Sequence, residues 1–212
     1  MAIMNSKRTQ YDVDQAMERI SQIHEHLAKG ELYRGFRPLP VGVTALLGLA
    51  AAACQSAVIA PGDLKRFPWY WAGVAAVCGA AGTADILHAY LTREDRFARR
   101  RTHQVLGQIV PALLAGLAVT LAMVRIPAWI PLLPGLWVIL FGLGVFAARP
   151  YAPRATGWVA LGYLVAGAWM LFATTPDTAA MGWRLGAVFA VGQTALALVL
   201  YLNLERANHD ET

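Results

Sequence analysis

Residues 38–62 read PLPVGVTALLGLAAAACQSAVIAPG, which is twenty-five consecutive positions without an Asp, Glu, Lys or Arg side chain. A helix needs roughly 20 apolar residues to cross a hydrocarbon layer about 30 Å thick, so this stretch is long enough to span a membrane. Five more uncharged stretches follow: Phe67–Ala84, Thr102–Val124, Ile126–Ala148, Ala155–Pro176 and Leu185–Leu204. The sequence therefore predicts an all-α fold in the form of a six-helix transmembrane bundle.

The composition agrees with a membrane location and gives little sign of catalysis. Hydrophobic residues make up 57% of the 212 positions and charged residues 15%, whereas soluble domains carry about 25% charged residues. The chain has three serines and no P-loop, HExxH or Cys-x-x-Cys motif. Cys54 and Cys78 both fall inside predicted spans, where we expect them to be packing residues. We therefore predict a protein that is not an enzyme.

The positive charges predict the orientation in the membrane. Fourteen Lys and Arg residues lie on the side of the two termini, and four lie on the other side: Lys65, Arg66, Arg125 and Arg184. Because positively charged loops stay in the cytoplasm, the pattern predicts a bacterial inner-membrane protein with both termini cytoplasmic. The net charge of +5 then reflects this rule and attraction to the lipid bilayer, not nucleic-acid binding. Aromatic residues are expected as interfacial anchors at the outer ends, namely Trp69, Tyr70, Trp71, Trp129 and Trp183.

The sequence divides into five segments. They are a flexible N-terminus (1–11), a cytoplasmic amphipathic helix (12–30), an interfacial connector (31–40), the six-span membrane domain (41–204) and a cytoplasmic tail (205–212). In the amphipathic helix, apolar residues recur at helical spacing: Val13, Met17, Ile20, Ile23 and Leu27. Its polar face is mixed and somewhat acidic, which argues against simple adsorption to lipid. We expect this helix, with Arg96, Arg99 and Arg100 of the loop between spans two and three, to bind a cytoplasmic protein partner.

Small residues recur at every fourth position in two of the predicted spans. Span two has Ala72, Ala76, Ala80 and Ala84, and span six has Gly182, Gly186, Ala190 and Thr194. Because small side chains let helix backbones approach closely in lipid, we interpret these faces as internal seams of the bundle, with a homodimer face as the alternative. Pro111, Pro131 and Pro134 are expected to kink or shorten spans three and four.

Polar side chains inside the spans are candidates for an ion, proton or polar-cavity site. Asp85 is the one acidic residue within a span, but it lies near the predicted inner surface, where an ion pair or helix-end contact is the alternative. Gln55 in span one and Gln193 in span six could line a polar cavity, although such amides more often hydrogen-bond a neighbouring helix.

Two histidines are candidates for a metal or haem site. His88 lies one turn beyond Asp85, and His103 opens span three, so the two imidazoles could ligate haem or, with Asp85, a divalent metal. Their position at the edge of the apolar layer favours ordinary interfacial histidines. We therefore predict no metal and no cofactor, with haem as the lesser alternative.

Two stretches, Tyr33–Pro40 (YRGFRPLP) and Leu133–Tyr151 (LPGLWVILFGLGVFAARPY), carry a resemblance. They look like segments of small, uncharacterised bacterial multi-span membrane proteins, and the similarity extends to the closing Tyr201–Arg206. The resemblance implies the six-helix architecture and no assigned activity.

These observations lead to one functional hypothesis and two alternatives. The first is a regulatory, sensory or accessory membrane protein that acts through its cytoplasmic contacts. The second is a small-solute or proton-coupled transporter centred on Asp85, Gln55 and Gln193. The third is a haem-binding electron carrier that uses His88 and His103.

Overall fold

The computed structural model describes the backbone of residues 38–92 and 96–209 and the side chains of residues 38–81 and 107–203. Within these ranges the chain is all-helical, as predicted. The six α-helices are α1 (Pro38–Val58), α2 (Phe67–Thr92), α3 (Arg96–Met123), α4 (Leu133–Ala147), α5 (Thr156–Phe172) and α6 (Thr178–His209). Short 3-10 helices at Pro127–Leu132 and Arg149–Tyr151 flank α4. The predicted amphipathic helix (12–30) lies outside the described residues.

Three helical segments are long and apolar enough to cross a membrane. They are Pro38–Val58, Pro127–Ala147 and Thr178–Asn203. Two more apolar helical segments, Gly107–Met123 and Thr156–Phe172, are shorter. The described structure therefore has three helical segments that could cross a membrane, and the predicted total of six spans remains a prediction.

Proline residues determine the form of the fourth apolar stretch. Pro131 lies in the 3-10 helix Pro127–Leu132, and Pro134 lies in the first turn of α4. A proline has no backbone N–H to donate, which is tolerated at the start of a helix. The stretch therefore begins as a 3-10 helix and continues as an α-helix of 15 residues. Pro111 lies inside α3, which continues on both sides of it.

The first and last helices of the described chain, α1 and α6, form the most extensive helix pair. Gly186 of α6 makes this close packing possible. A Cβ atom at this position would lie 2.6 Å from the Ala52 Cβ and 2.9 Å from the Gly48 carbonyl oxygen. Small residues of both helices thus bring two backbones together, as in other membrane helix pairs.

A second glycine-mediated pair joins α4 and α5. A Cβ atom at Gly167 of α5 would lie 2.8 Å from the carbonyl oxygen of Gly135 in α4. Two turns further along α4, Gly142 packs against the Cβ of Tyr163, which lies one turn before Gly167 in α5. Helix α3 packs on α4, and α2 packs on α1, with fewer contacts in each case. The interior is filled by large apolar side chains with little or no exposed surface: Phe67, Ile130, Leu133, Val138 and Leu185.

The two small-residue faces differ in their packing. In α6, Gly182 and Gly186 are buried against α1 and form an internal seam, as predicted, whereas Thr194 of the same stripe is exposed and the expectation is wrong for it. In α2, Ala72, Ala76 and Ala80 lie on an exposed face, and the expectation of an internal seam is wrong for these residues. The reason is that the opposite face of α2 carries the bulky residues Phe67 and Trp71, which turn inward and bury more apolar area.

Candidate functional site

The side chains of several predicted site residues lie outside the described ones. Asp85 and His88 fall within α2, and Arg96, Arg99, Arg100 and His103 fall within α3, but only their backbone is described. The three arginines thus lie in the first turns of a helix, and the expectation that they belong to a loop is wrong. The partner-binding residues of the amphipathic helix, Val13, Met17, Ile20 and Leu27, also lie outside the described chain. The roles assigned to all of them remain predictions.

Gln55 is the centre of a polar cluster at one end of the bundle. Its side chain is 2% exposed, and its Nε2 donates a hydrogen bond of 2.6 Å to the carbonyl oxygen of Thr178. Its Oε1 accepts a hydrogen bond of 2.6 Å from the indole Nε1 of Trp71. One amide therefore links α1, α2 and the start of α6. A buried amide costs free energy unless both its ends are hydrogen-bonded, and here both are.

Glycine at position 182 makes room for the Gln55 side chain. A Cβ atom at Gly182 would overlap the amide group of Gln55. The stripe of small residues in α6 therefore has two uses. Gly186 lets the α1 backbone approach, and Gly182 leaves space for the buried Gln55 amide of α1.

The loop after α1 is also attached to the start of α6. The buried Thr178 hydroxyl accepts a hydrogen bond of 3.4 Å from the backbone N–H of Gly62. Gly62 is the one described residue with a positive φ. The hydroxyl of Tyr70, in α2, donates a hydrogen bond of 2.6 Å to the carbonyl oxygen of Ala51 in α1. These bonds fix the ends of three helices relative to one another.

Aromatic rings extend the cluster toward α3 and α4. The ring centroid of Phe67 lies 6.3 Å from that of Trp71 and 6.4 Å from that of Trp137, with the second pair stacked at 5°. The Trp137 indole donates a hydrogen bond of 2.8 Å to the Thr120 hydroxyl. That hydroxyl donates in turn to the carbonyl oxygen of Gly116 over 2.7 Å. The sequence analysis missed this arrangement and placed Trp71 at the membrane interface. The i,i+4 spacing of Phe67 and Trp71, which puts both rings on one helix face, is the signal that indicates it.

The structure does not bring Gln55 and Gln193 together. Gln193 is half-buried on α6, eleven residues beyond Gly182, which is the position that contacts Gln55. Eleven residues of α-helix correspond to about 16 Å along the axis. The two amides proposed to line one cavity therefore lie at different levels of the bundle.

Tyr163 of α5 is a buried polar residue that the sequence analysis did not single out. It is 2% exposed, and its hydroxyl has no hydrogen-bond partner within the described structure. The ring packs against Phe141 and Phe189, with centroids 5.2 and 5.7 Å away, and the hydroxyl lies over Gly192. The contacts of Tyr163 are thus those of an aromatic core residue.

Metal-ligating residues do not gather in the part of the chain that the structure describes. No group of three or more His, Cys, Asp or Glu side chains occurs there. Cys54 is exposed on α1 and Cys78 is half-exposed on α2, and both are free thiols. The predicted histidine site lies outside these residues, so the absence of a cofactor remains a prediction.

Comparison with known proteins adds no relative. No protein-family model matches the chain, and neither a curated protein nor a solved structure matches it. The inferences below therefore depend on the residues and their geometry alone.

Proposed function

We propose that this chain is a non-enzymatic membrane protein of regulatory, sensory or accessory type. It spans a bacterial inner membrane six times and holds both termini in the cytoplasm. It engages a cytoplasmic protein through its amphipathic helix (12–30) and through Arg96, Arg99 and Arg100 between the second and third spans. The apolar face of that helix and the basic residues at the start of α3 together offer one hydrophobic and one charged contact to the same partner.

The observation that supports the proposal is that both ends of the buried Gln55 amide are hydrogen-bonded within the protein. A transporter needs polar groups that face a cavity near the middle of the membrane. Gln55 instead has its two amide ends bonded to Trp71 and Thr178, and its side chain is buried between helices. Gln193 lies about 16 Å further along α6. Two of the three residues of the transport alternative are thus apart from each other, and one of them is used for helix packing.

Affinity purification from native membranes tests the proposal. The full-length chain is compared with a deletion of residues 1–29 and with two point variants, and bound proteins are identified by mass spectrometry. Ile20→Glu places a charge on the apolar face of the amphipathic helix, and Glu18→Gln changes its polar face as the matched control. We expect a specific partner that remains with the full-length chain and Glu18→Gln and is lost from the deletion and Ile20→Glu.

A different pattern would replace the proposal. If the deletion and the full-length chain retain the same proteins, the amphipathic helix is not the contact. A liposome flux that is lost in Asp85→Asn would favour the transport alternative, and a Soret absorption band in the purified protein would favour the haem alternative.

A further inference from the structure

Arg184 of α6 is a cation placed among apolar residues, seven positions into the helix. It is half-buried, and its guanidinium donates a hydrogen bond to the carbonyl oxygen of Ala173, the residue that ends α5. The guanidinium carbon lies 5.4 Å from the ring centroid of Trp169. The side chain is thus held in one place by a carbonyl oxygen and an aromatic ring.

The charge of Arg184 has no anionic partner among the described residues. The ion pair found there joins Arg66 to Asp63 instead. The acidic residue nearest in sequence, Asp177, accepts a hydrogen bond of 3.0 Å from the backbone N–H of Ala179 at the start of α6. A guanidinium has five N–H donors, so most of those of Arg184 remain available to a ligand.

A crevice between the ends of α5 and α6 opens beside this guanidinium. Its walls are formed by Pro131, Met170, Thr174, Thr175 and Met181 together with Arg184. Thr174 is exposed, and the Thr175 hydroxyl accepts a hydrogen bond of 3.3 Å from the backbone N–H of Asp177, which leaves its own O–H free to donate. The crevice itself is small, so a ligand would lie at its mouth, where one fixed cation and the threonine residues border apolar walls. A cation beside apolar surface is the chemistry that recognises a phosphate ester of an apolar molecule.

An exposed apolar stripe on α5 leads to the crevice. Its members follow one another at intervals of three or four residues, which puts them on one helix face: Trp158, Leu161, Val165, Trp169 and Phe172. Val165 is 63% exposed and Phe172 is 92% exposed. The stripe runs from residue 158 to residue 172, and its two ends lie about 21 Å apart along the helix, which is more than one leaflet of a hydrocarbon layer about 30 Å thick.

We infer that Arg184 and the α5 stripe form a binding site for one anionic phospholipid. The headgroup phosphate accepts hydrogen bonds from the Arg184 guanidinium and the threonine hydroxyls, and an acyl chain lies along the stripe from Trp169 to Leu161. Arginine suits this role because its planar fork binds phosphate oxygens in pairs. The occupant is a lipid because the charged crevice and the exposed apolar stripe meet at the Trp169 ring. The inference rests on the membrane placement proposed above and not on the cytoplasmic partner.

The test uses the full-length chain, purified in mild detergent and delipidated, with native mass spectrometry to count bound lipids. The probe is dioleoyl phosphatidylglycerol, and the comparison probes are dioleoylglycerol, which lacks the phosphate, and glycerol 3-phosphate, which lacks the chains. Arg184→Gln keeps a donor for the Ala173 carbonyl and removes the charge. Arg125→Gln is the matched control, because Arg125 is exposed and lies in the loop after α3.

We expect Arg184→Gln to bind phosphatidylglycerol about tenfold more weakly than the native chain, the size expected for loss of a charge-assisted hydrogen bond. Arg125→Gln should bind as the native chain does, and dioleoylglycerol binding should be equal in all three proteins. Equal phosphatidylglycerol binding by Arg184→Gln and the native chain would overturn the inference. So would displacement of the lipid by glycerol 3-phosphate, which would identify a site for free phosphate esters.

A second variant keeps the test decisive if Arg184→Gln does not fold. Trp169→Leu retains the cation and an apolar side chain but removes the ring that holds the guanidinium, and we expect about threefold weaker binding. Native affinity in that variant would contradict the inference. Deletion of residues 1–29 should leave lipid binding unchanged, so this inference and the proposed partner binding can fail separately.

Discussion

Trp71 donates its indole N–H to the side-chain carbonyl of Gln55 over 2.6 Å, inside a cluster where the two residues are 5% and 2% exposed. The bond joins α2 to α1, and the other end of the same amide joins α1 to α6. One side chain therefore links three helices. A polar residue in a membrane helix, which is a common indicator of a functional site, is here a structural link.

Replacing Gln55 tests this link. Gln55→Leu keeps the volume of the side chain but leaves the Trp71 indole N–H buried without an acceptor. We expect a loss of about 1–3 kcal/mol in the free energy of unfolding, the usual cost of an unsatisfied buried donor. Equilibrium unfolding in SDS, followed by circular dichroism, measures it. Ser56→Ala, at the exposed neighbouring position, is the control and should change little. A Gln55→Leu protein as stable as the native chain would contradict the structural role.

The close approach of α1 and α6 predicts a strong effect of one methyl group. In Gly186→Ala the new Cβ would lie 2.9 Å from the Gly48 carbonyl oxygen, and because backbone atoms cannot move aside alone, the helices must separate. We expect a destabilisation of about 1–3 kcal/mol, typical of overpacking. In Gly162→Ala of α5 the Cβ would have no atom within 4 Å, so the helix should gain stability by up to about 1 kcal/mol. Effects of the same sign in both variants would rule out this account of the α1–α6 pair.

Tyr163 and Tyr70 are expected to differ in how the loss of the hydroxyl group changes the stability of the protein. The Tyr163 hydroxyl has no partner within the described structure, so Tyr163→Phe should leave stability unchanged or raise it by about 1 kcal/mol. The Tyr70 hydroxyl donates to the Ala51 carbonyl oxygen, so Tyr70→Phe should lower stability by about 0.5–1.5 kcal/mol. The same unfolding measurement compares them. A clear loss in Tyr163→Phe would mean that the hydroxyl has a bonding partner.

Cysteine labelling tests the predicted orientation. In a chain with Cys54 and Cys78 replaced by Ala, single cysteines are introduced at Lys65 and Arg154, which are both exposed. With both termini cytoplasmic, a membrane-impermeant maleimide added to intact cells should label Lys65→Cys and spare Arg154→Cys. Both should react once the membrane is disrupted. Labelling of Arg154→Cys in intact cells would reverse the orientation that the positive charges predict.

The location of the helices was largely predictable from the sequence. The uncharged stretch Pro38–Gly62 contains α1, and Ile126–Ala148 matches the 3-10 helix and α4 together. This works because the bilayer requires long uncharged runs and leaves the chain few other structures. The last helix runs to His209, beyond the predicted end of the membrane domain at residue 204, since hydropathy marks the apolar layer and not the helix end.

The packing was less predictable, because it depends on which face of a helix turns inward. Trp69 and Trp71 are both tryptophans expected at the membrane interface, but Trp69 is 58% exposed and Trp71 is 5% exposed. The partner of Gln55 is 123 residues away at Thr178, and no local pattern indicates so distant a contact. The sequence places Arg184 only among the positive charges on the side away from the termini, because its neighbours in α5 are known only from the fold. Short-range spacing could have revealed the Phe67–Trp71 face, but not these long-range contacts.

The pairing of α1 with α6 also has a consequence for the synthesis and assembly of the protein. A ribosome adds about 5–20 residues per second, so the 123 residues between Gln55 and Thr178 take roughly 6–25 s to make. During that interval α1 has been synthesised while its main packing partner does not yet exist. The Gln55 amide must then find a temporary partner, such as the insertion machinery or water at the membrane surface. Assembly of this bundle is therefore completed by its last helix, and truncation before residue 178 should leave a chain that membrane proteases degrade.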